Sequence, residues 1–592
     1  MMRLAIVVAF LALALRLVDV QAFGGPKYQR IANAEVTNTV SLTAMRGGIF
    51  DRNGAVLALS VPRSTVVADP YLIADPAQEA AVLSPVLGVS VGVLRGDMSQ
   101  RSGFVYLAHK VDDAVAAKIE ALNLAGINLL PDSERTYPVG DVLSPVIGEV
   151  GSEGTGLAGL EYEYQHELAG QNGTATELET PDGVALPGGT KTLTAVHQGA
   201  GIELTIDQSL QYVTEQALAS EIRVSHARSG IAVVMDTRTG DILSMANLVN
   251  DPTTNQVAEA PQNLALTQVY EPGSVFKLVT FSAALGSGEI TPHEVFTVPN
   301  DVLIDGWTFH DAESHPTERL SATQILAQSS NVGTIEIAQG LGKQGLAAQI
   351  AALGFGRPTG LGFPGESPGL VKSDPGQWSA SDIGSTPIGQ DDAVTAQQVL
   401  DMVNTVADGG VFVTPRLVQA TVAPDGRTIV TARSSTHRVL APATVAQLTT
   451  MMEQVVQDGT AVSAGIPGYT VAGKTGTAQI PNATQLGYIP GAYMATFAGF
   501  APAEHPVLSA IVVLDRPSPI YGGLVAAPVF SQVMRYALHR YGVPTSPAGG
   551  TTGGTAVPIQ FPTYSAVAGV PGSSGMTGTI AASPPGYVTE GP

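Results

Sequence analysis

Three short segments carry side chains whose types and spacing suit nucleophilic chemistry on an acyl group. The first is Ser274-Val275-Phe276-Lys277, which follows Glu271-Pro272-Gly273. A serine hydroxyl is a weak nucleophile until a base within hydrogen-bond reach takes its proton. Lysine can be that base when burial or a neighbouring cation brings its pKa toward neutrality. Pro272 and Gly273 block helix propagation upstream, and Val275 to Leu285 has a helical apolar pattern with Gly286 as its stop. The spacing predicts Ser274 in the first turn of a helix, with Lys277 one turn on and on the same face. The second segment, Ser329-Ser330-Asn331, lies between helical stretches at Leu320–Gln328 and Val332–Gln339. A small polar loop there can present a hydroxyl for proton relay and an amide for a substrate backbone. The third, Lys474-Thr475-Gly476-Thr477, reads as a strand. Alternation sets Thr475 and Thr477 on one face and Lys474 on the other, and Gly476 lets a ligand backbone come close.

The elements that must position these segments are mostly legible. Ser209 to Ile222 has helical apolar spacing. Ile231–Met235 and Asp241–Met245 read as a hairpin through Asp236–Gly240, and Ala492–Phe500 with Val507–Leu514 as a second one. Ala526–Arg540 reads as a closing helix. The pattern predicts an α+β fold, an antiparallel sheet with helices against it. Residues 24–195 are mixed and turn-rich, and the Asn53-Gly54 pair before Ala55–Leu59 predicts strand, tight turn, strand. A Gly-rich stretch, Gly188 to Gly201, separates that region from a second domain at 200–543. The tail, 544–592, is Gly- and Pro-rich with Glu590 as its single charge, a composition that cannot bury a core and reads as disordered.

Composition narrows the function. The 592 residues hold 29 basic and 51 acidic side chains, a net charge of −22, with no basic run. Nucleic-acid binding needs clustered Lys and Arg, so it is disfavoured. Cysteine is absent, which removes disulfides, thiolate metal sites and cysteine nucleophiles together. Leu4 to Leu15 is a 12-residue apolar run after Arg3, shorter than the roughly 20 residues that span a bilayer. By its residues it is either a cleaved leader ending at Val20-Gln21-Ala22 or an uncleaved anchor. Gly360 to Gly365 matches a dinucleotide fingerprint, but Pro364 and the lack of a following helix argue against it. His310, Asp311, Glu313 and His315 cluster like metal ligands at no recognised spacing. Nearby Trp307 reads as a packing residue, and Met451-Met452 as a buried helix face.

Each chemical segment alone has a bland explanation: an amphipathic helix, a helix cap, a plain strand. Each occurs once, in a chain with eight lysines. Their order, Ser-x-x-Lys, Ser-x-Asn, Lys-Thr-Gly, is the signature of penicillin-binding proteins and serine β-lactamases. With Arg46 to Gly54, Arg135-Thr136-Tyr137-Pro138 and Gly159-Leu160-Glu161, the chain to about residue 540 resembles a class B penicillin-binding protein, a peptidoglycan D,D-transpeptidase. The resemblance implies a membrane anchor at 1–23, a pedestal (dimerisation-type) domain at 24–195 and a transpeptidase domain at 200–543. It implies that Ser274 is acylated, that Lys277 is its base and that Ser329 relays a proton to the leaving D-alanine. Asn331 would hold the donor peptide, and Lys474 would add positive charge near Ser329 and Lys277. Thr475 and Thr477 would bind the terminal carboxylate, beside Gly476, and the N–H groups of Ser274 and Thr477 would form the oxyanion hole. No metal or cofactor is implied. Partners would be stem peptides ending in D-Ala-D-Ala, β-lactams, an FtsW-like membrane glycosyltransferase of the SEDS family and other division proteins. The catalytic domain would lie on the extracytoplasmic side of the cell membrane, on a single-pass anchor. Ala495 to Pro502 resembles the division (FtsI-like) branch; lateral-wall synthesis is the alternative. A D,D-carboxypeptidase, a β-lactamase, a β-lactam sensor and a non-catalytic scaffold compete. One departure stands out. After Pro387-Ile388-Gly389-Gln390, where family members often have further glycine, this chain has Asp391-Asp392-Ala393.

Overall fold

The computed structural model describes residues 2–18, 37–178, 191–485 and 487–547; the Gly/Pro-rich tail from residue 548 and residues 188–190 of the Gly-rich stretch lie outside the described residues. Met2–Val18 forms a 17-residue apolar helix, α1, and its residues from Ile6 onward are exposed. Among the described residues, no helix is long and apolar enough to cross a membrane.

The pedestal grows from one long strand. β1 (Ile49–Phe50) and β2 (Val56–Ala68) are antiparallel around the Asn53-Gly54 turn, where buried Asp51 accepts the amides of Asn53 and Ala55. β2 pairs with β3 (Val105–Val111) and β4 (Ile127–Thr136). Helices α2 (Pro76–Leu87), α3 (Val91–Met98) and α4 (Asp113–Leu122) cover them, with Val66, Leu83, Leu94 and Met98 fully buried between. The three pedestal segments singled out in the sequence meet at one carboxylate. Glu161, wholly buried, takes Arg46 Nε at 2.6 Å and Arg135 Nε at 2.8 Å. β1 also runs parallel to β5 (Gly201–Leu204), so a single sheet stitches the pedestal to the larger domain.

That larger domain is the α+β sandwich the sequence predicts. Helix α5 (Gln208–Ser225) precedes β6 (Ser229–Asp236), β7 (Ile242–Asn250) and β8 (Val257–Glu259). The helix that begins at Lys277, α6 (Lys277–Ser287), ends at Gly288, in left-handed conformation, rather than at Gly286, which adopts helical backbone. Next come α7 (Ala322–Gln328), α8 (Asn331–Ala352), α9 (Ala396–Ala407) and α10 (Pro442–Gln457), whose Met451 and Met452 are buried. β9 (Ala472–Pro481), β10 (Tyr488–Ala501), β11 (Leu508–Asp515) and α11 (Gly522–Arg540) close the domain. The strand order is β8-β7-β6-β11-β10-β9, antiparallel throughout. The two hairpins are thus joined through β6 and β11, and β9 is an edge strand. Seven of the eight residues of β6 and of β11 are buried, so both faces of the sheet are covered. α11 packs on one face, with Phe530 edge-on to Phe497. α9 lies against the sheet too, and Asn404 bonds Ser509 and Thr237 there.

Candidate active site

Ser274 sits in a single 3-10 turn, Gly273–Phe276, that leads straight into α6. Gly273 has φ +57, and a Cβ there would come within 3.0 Å of Ala478 on β9. Glycine is needed because the turn is both left-handed at this residue and pressed against the strand. Gly476 makes the reciprocal approach: a Cβ would meet Pro272 O and Val275 Cγ2 at 2.9 Å. What comes close to Gly476 is the chain's own turn bearing Ser274. That contact sets Ser274 beside Thr477 and Ala478.

Lys277 is fully buried and Ser274 half-buried. Lys277 Nζ donates to the Ser329 carbonyl, to Ser329 Oγ at 3.3 Å and to Asn331 Oδ1 at 2.8 Å. Those are its hydrogen bonds among the described residues; none goes to Ser274 Oγ. Contacts between nucleophile and base commonly tighten only when substrate is bound. Ser329 caps α7 with φ +64, a left-handed conformation that a non-glycine residue holds only where its surroundings enforce it. The strained backbone turns its carbonyl and hydroxyl together toward Lys277.

Lys474, also fully buried, reaches Ser329 Oγ at 2.9 Å and Thr475 O at 3.2 Å. Its amine also lies 3.4 Å from Thr475 Oγ1, curling back past the alternation expected of the strand. Two buried amines therefore converge on one hydroxyl. Burial brings Lys277 down to about 7, against an opposing pull from the Asp311 carboxylate. Burial first, and the Lys277 charge second, push Lys474 well below its ordinary value. A neutral amine is a proton acceptor, and a lysine can serve as one near neutral pH only when its pKa is lowered in this way.

The other expected residues divide. Asn331 begins α8 with its side chain between Lys277 and the His310 carbonyl. Thr477 is half-buried next to the turn bearing Ser274, with the Gly522 amide 3.4 Å from its hydroxyl. Thr475 is not presented in the same way: it is buried, and its hydroxyl pairs with Thr460 at 2.7 Å.

Two acidic residues matter here that sequence reasoning did not place. Asp311, weighed only as a metal ligand, accepts from the amides of Asn331 and Val332 and from Ser330 Oγ. Among the described residues, no group of three His, Asp or Glu could hold a metal. Glu271 accepts from the Asp391 amide and from the Tyr488 hydroxyl. Burial pushes its carboxyl up to about 7. Asp391 has φ +67, which explains the departure in that segment: an aspartate adopts the left-handed backbone that glycine would take freely. No local signal marks Asp311 for this role, because it lies 20 residues before the helix start it anchors. Trp307 is 68% exposed, so it is not the packing residue its type suggested.

A serine on a helix start, two amines and an edge strand in an α+β sandwich define a serine acyltransferase of the penicillin-interacting kind. Residues 230–535 match the penicillin-binding protein transpeptidase domain, and residues 41–204 the penicillin-binding protein dimerisation domain. The chain is 32% identical to penicillin-binding protein PbpB of Mycolicibacterium smegmatis, over 91% of this chain and 89% of that one. It is 29% identical to peptidoglycan D,D-transpeptidase FtsI of Buchnera aphidicola, over 90% and 93%. Among solved structures, penicillin-binding protein 3 of Mycobacterium tuberculosis complexed with ampicillin superposes with TM-score 0.68 at 31% identity, covering 86% of this chain and 97% of that one. The chain belongs to the class B penicillin-binding proteins of the FtsI type.

Proposed function

We propose that this protein is a peptidoglycan D,D-transpeptidase that cross-links stem peptides during septal wall synthesis and is acylated by β-lactams. The observation that carries it is the meeting of Lys277 and Lys474 at Ser329, beside the turn that bears Ser274. The donor stem adds along the open edge of β9, where unpaired backbone groups can bind an extended peptide. Its terminal carboxylate meets Lys474 and Thr477, and the arriving negative charge favours protonation of Lys474. With Lys474 charged, Lys277 stays neutral. Ser274 Oγ attacks the carbonyl of the penultimate D-alanine and passes its proton to Lys277. The oxyanion accepts from the Ser274 and Thr477 amides, each donor worth roughly 3–4 kcal/mol in such sites. Ser329 relays the proton to the nitrogen of the departing D-alanine. An amine of a neighbouring stem then attacks the acyl-serine, forming the cross-link and freeing Ser274. A β-lactam follows the first half and stalls as the acyl-enzyme.

The apolar, exposed helix α1, at 17 residues shorter than a full span, is the segment proposed as a single-pass anchor in the cell membrane, with the catalytic domain then on the extracytoplasmic side. The pedestal would then face an FtsW-like glycosyltransferase and other division proteins.

Labelling with a fluorescent penicillin tests the chemistry. The label should persist for many minutes on the wild type and be absent from Ser274→Ala. Rapid turnover would indicate a β-lactamase, and no label a scaffold. Depletion in cells tests the role: filaments support septal work, and spheres would move the protein to the lateral wall.

A further inference from the structure

We propose that Asp311 is a positioning residue of the acylation site: its carboxylate pins the start of α8, so aiming Ser329 and Asn331 at Lys277, and its negative charge acts on that amine. The inference rests on the transpeptidase reading and extends it to a residue outside the three motifs.

The geometry is specific. Asp311 Oδ1 accepts from the amides of Asn331 and Val332, the first two residues of α8. Oδ2 accepts from Ser330 Oγ at 2.7 Å and faces His315 Nε2 at 3.0 Å. Ser330 Oγ accepts in turn from the Gly333 amide, which completes the cap. A carboxylate offers about four acceptor positions, and all four are used. A negative charge at a helix N-terminus is also favoured by the exposed amides. The adjacent residue adds the last contact: the His310 carbonyl takes Asn331 Nδ2 at 3.0 Å, which leaves Asn331 Oδ1 facing Lys277. One two-residue segment thus fixes both the backbone and the side chain of Asn331.

The charge matters as well as the acceptors. The charged groups around this anchor are Lys277 from the cleft, His315 from the same loop, and Glu318, which acts on His315. The negative charge of Asp311 favours the protonated form of Lys277 and opposes burial. His315 is its counter-ion when protonated. Both ring nitrogens face oxygens, Pro316 O at 2.7 Å and Asp311 Oδ2 at 3.0 Å; the Pro316 carbonyl first, then Asp311, raise its pKa.

Two variants separate anchor from charge in the full chain, read by the rate of acylation with a fluorescent penicillin across pH. Asp311→Asn keeps an acceptor for the amides and removes the charge. It should lose less than about tenfold in rate, with the acid limb of the profile moved to lower pH. His315→Ala strips the counter-ion and should move that limb to higher pH. Asp311→Ala removes the anchor and should slow acylation about 10- to 100-fold, because a small misplacement of reacting groups costs that much. The inference is overturned if Asp311→Asn and His315→Ala leave the limb where it is in the wild type. It is equally overturned if Asp311→Ala acylates at the wild-type rate. A wild type that never labels would instead defeat the transpeptidase reading itself.

Discussion

Lys474 donates to the hydroxyl of Ser329 across 2.9 Å, although 145 positions separate the two residues. Lys277 approaches the same oxygen at 3.3 Å. One small loop therefore reads the protonation of two amines. In the proposed mechanism, the Ser329 hydroxyl passes the proton from Lys277 toward the leaving group.

The first consequence is a pH profile. Lys277 acts as base only when neutral, and burial brings its pKa to about 7. The acylation rate should rise through about pH 7 and level off above it. Stopped-flow acylation from pH 5 to 9 checks this; a flat profile across that range would remove Lys277 from the role of base.

Gly476→Ala should damage the site without touching any side chain that reacts. Its new Cβ would meet Pro272 O and Val275 Cγ2 at 2.9 Å. Backbone cannot yield cheaply, so β9 must move away from the nucleophile turn, with a destabilisation of about 1–3 kcal/mol. Acylation should fall on the order of 100-fold through misplacement. Labelling and thermal melting, measured together, distinguish the two effects.

In the pedestal, Glu161→Ala would leave Arg46 and Arg135 buried without their carboxylate. Breaking a buried ion pair on one side costs about 3–5 kcal/mol. Calorimetry should show a melting temperature lower by on the order of 10 °C. A change within error would mean that the arginines find other partners.

Stability should also depend on pH through Glu215 and Glu259. Burial, then the neighbouring Glu215 charge, push Glu259 up to about 9, and burial raises Glu215 as well. The folded chain thus keeps a proton that the unfolded chain releases above its ordinary value of 4.5. This contribution is fully present below about pH 4.5 and is lost as pH rises toward about 9. One retained proton sets an upper slope of about 1.4 kcal/mol per pH unit. Denaturant melts of Glu259→Gln should show a shallower decline over that window. The pair also feels Asp141 and the Leu143 backbone of the pedestal, so the loss should loosen that junction first. Hydrogen exchange at 141–143 would report it.

The hairpins, the closing helix and the turn at Asn53-Gly54 were legible because local patterns dictate them. Alternation, helical periodicity and an Asn-Gly pair act between near neighbours. The three chemical segments were legible by residue type and order, and the family resemblance supplied their roles. What local pattern could not give was proximity. The joining of β6 to β11, which brings the two hairpins into one sheet and leaves β9 at its edge, depends on burial of both sheet faces at once. The convergence of Arg46 and Arg135 on Glu161 depends on packing in the same way. Thr475 shows the limit from the other side: its position in the motif suggested a ligand contact, and packing turned its hydroxyl to Thr460. Asp311 shows it most sharply. Its hydrogen bonds to α8 exist only because the loop folds over the helix start, and no periodicity links an acid to amides 20 positions away. Sequence alone determined which groups could react; the pKa of Lys277 and the aim of Ser329 were decided by tertiary structure, because burial and long-range contact are properties of the folded chain.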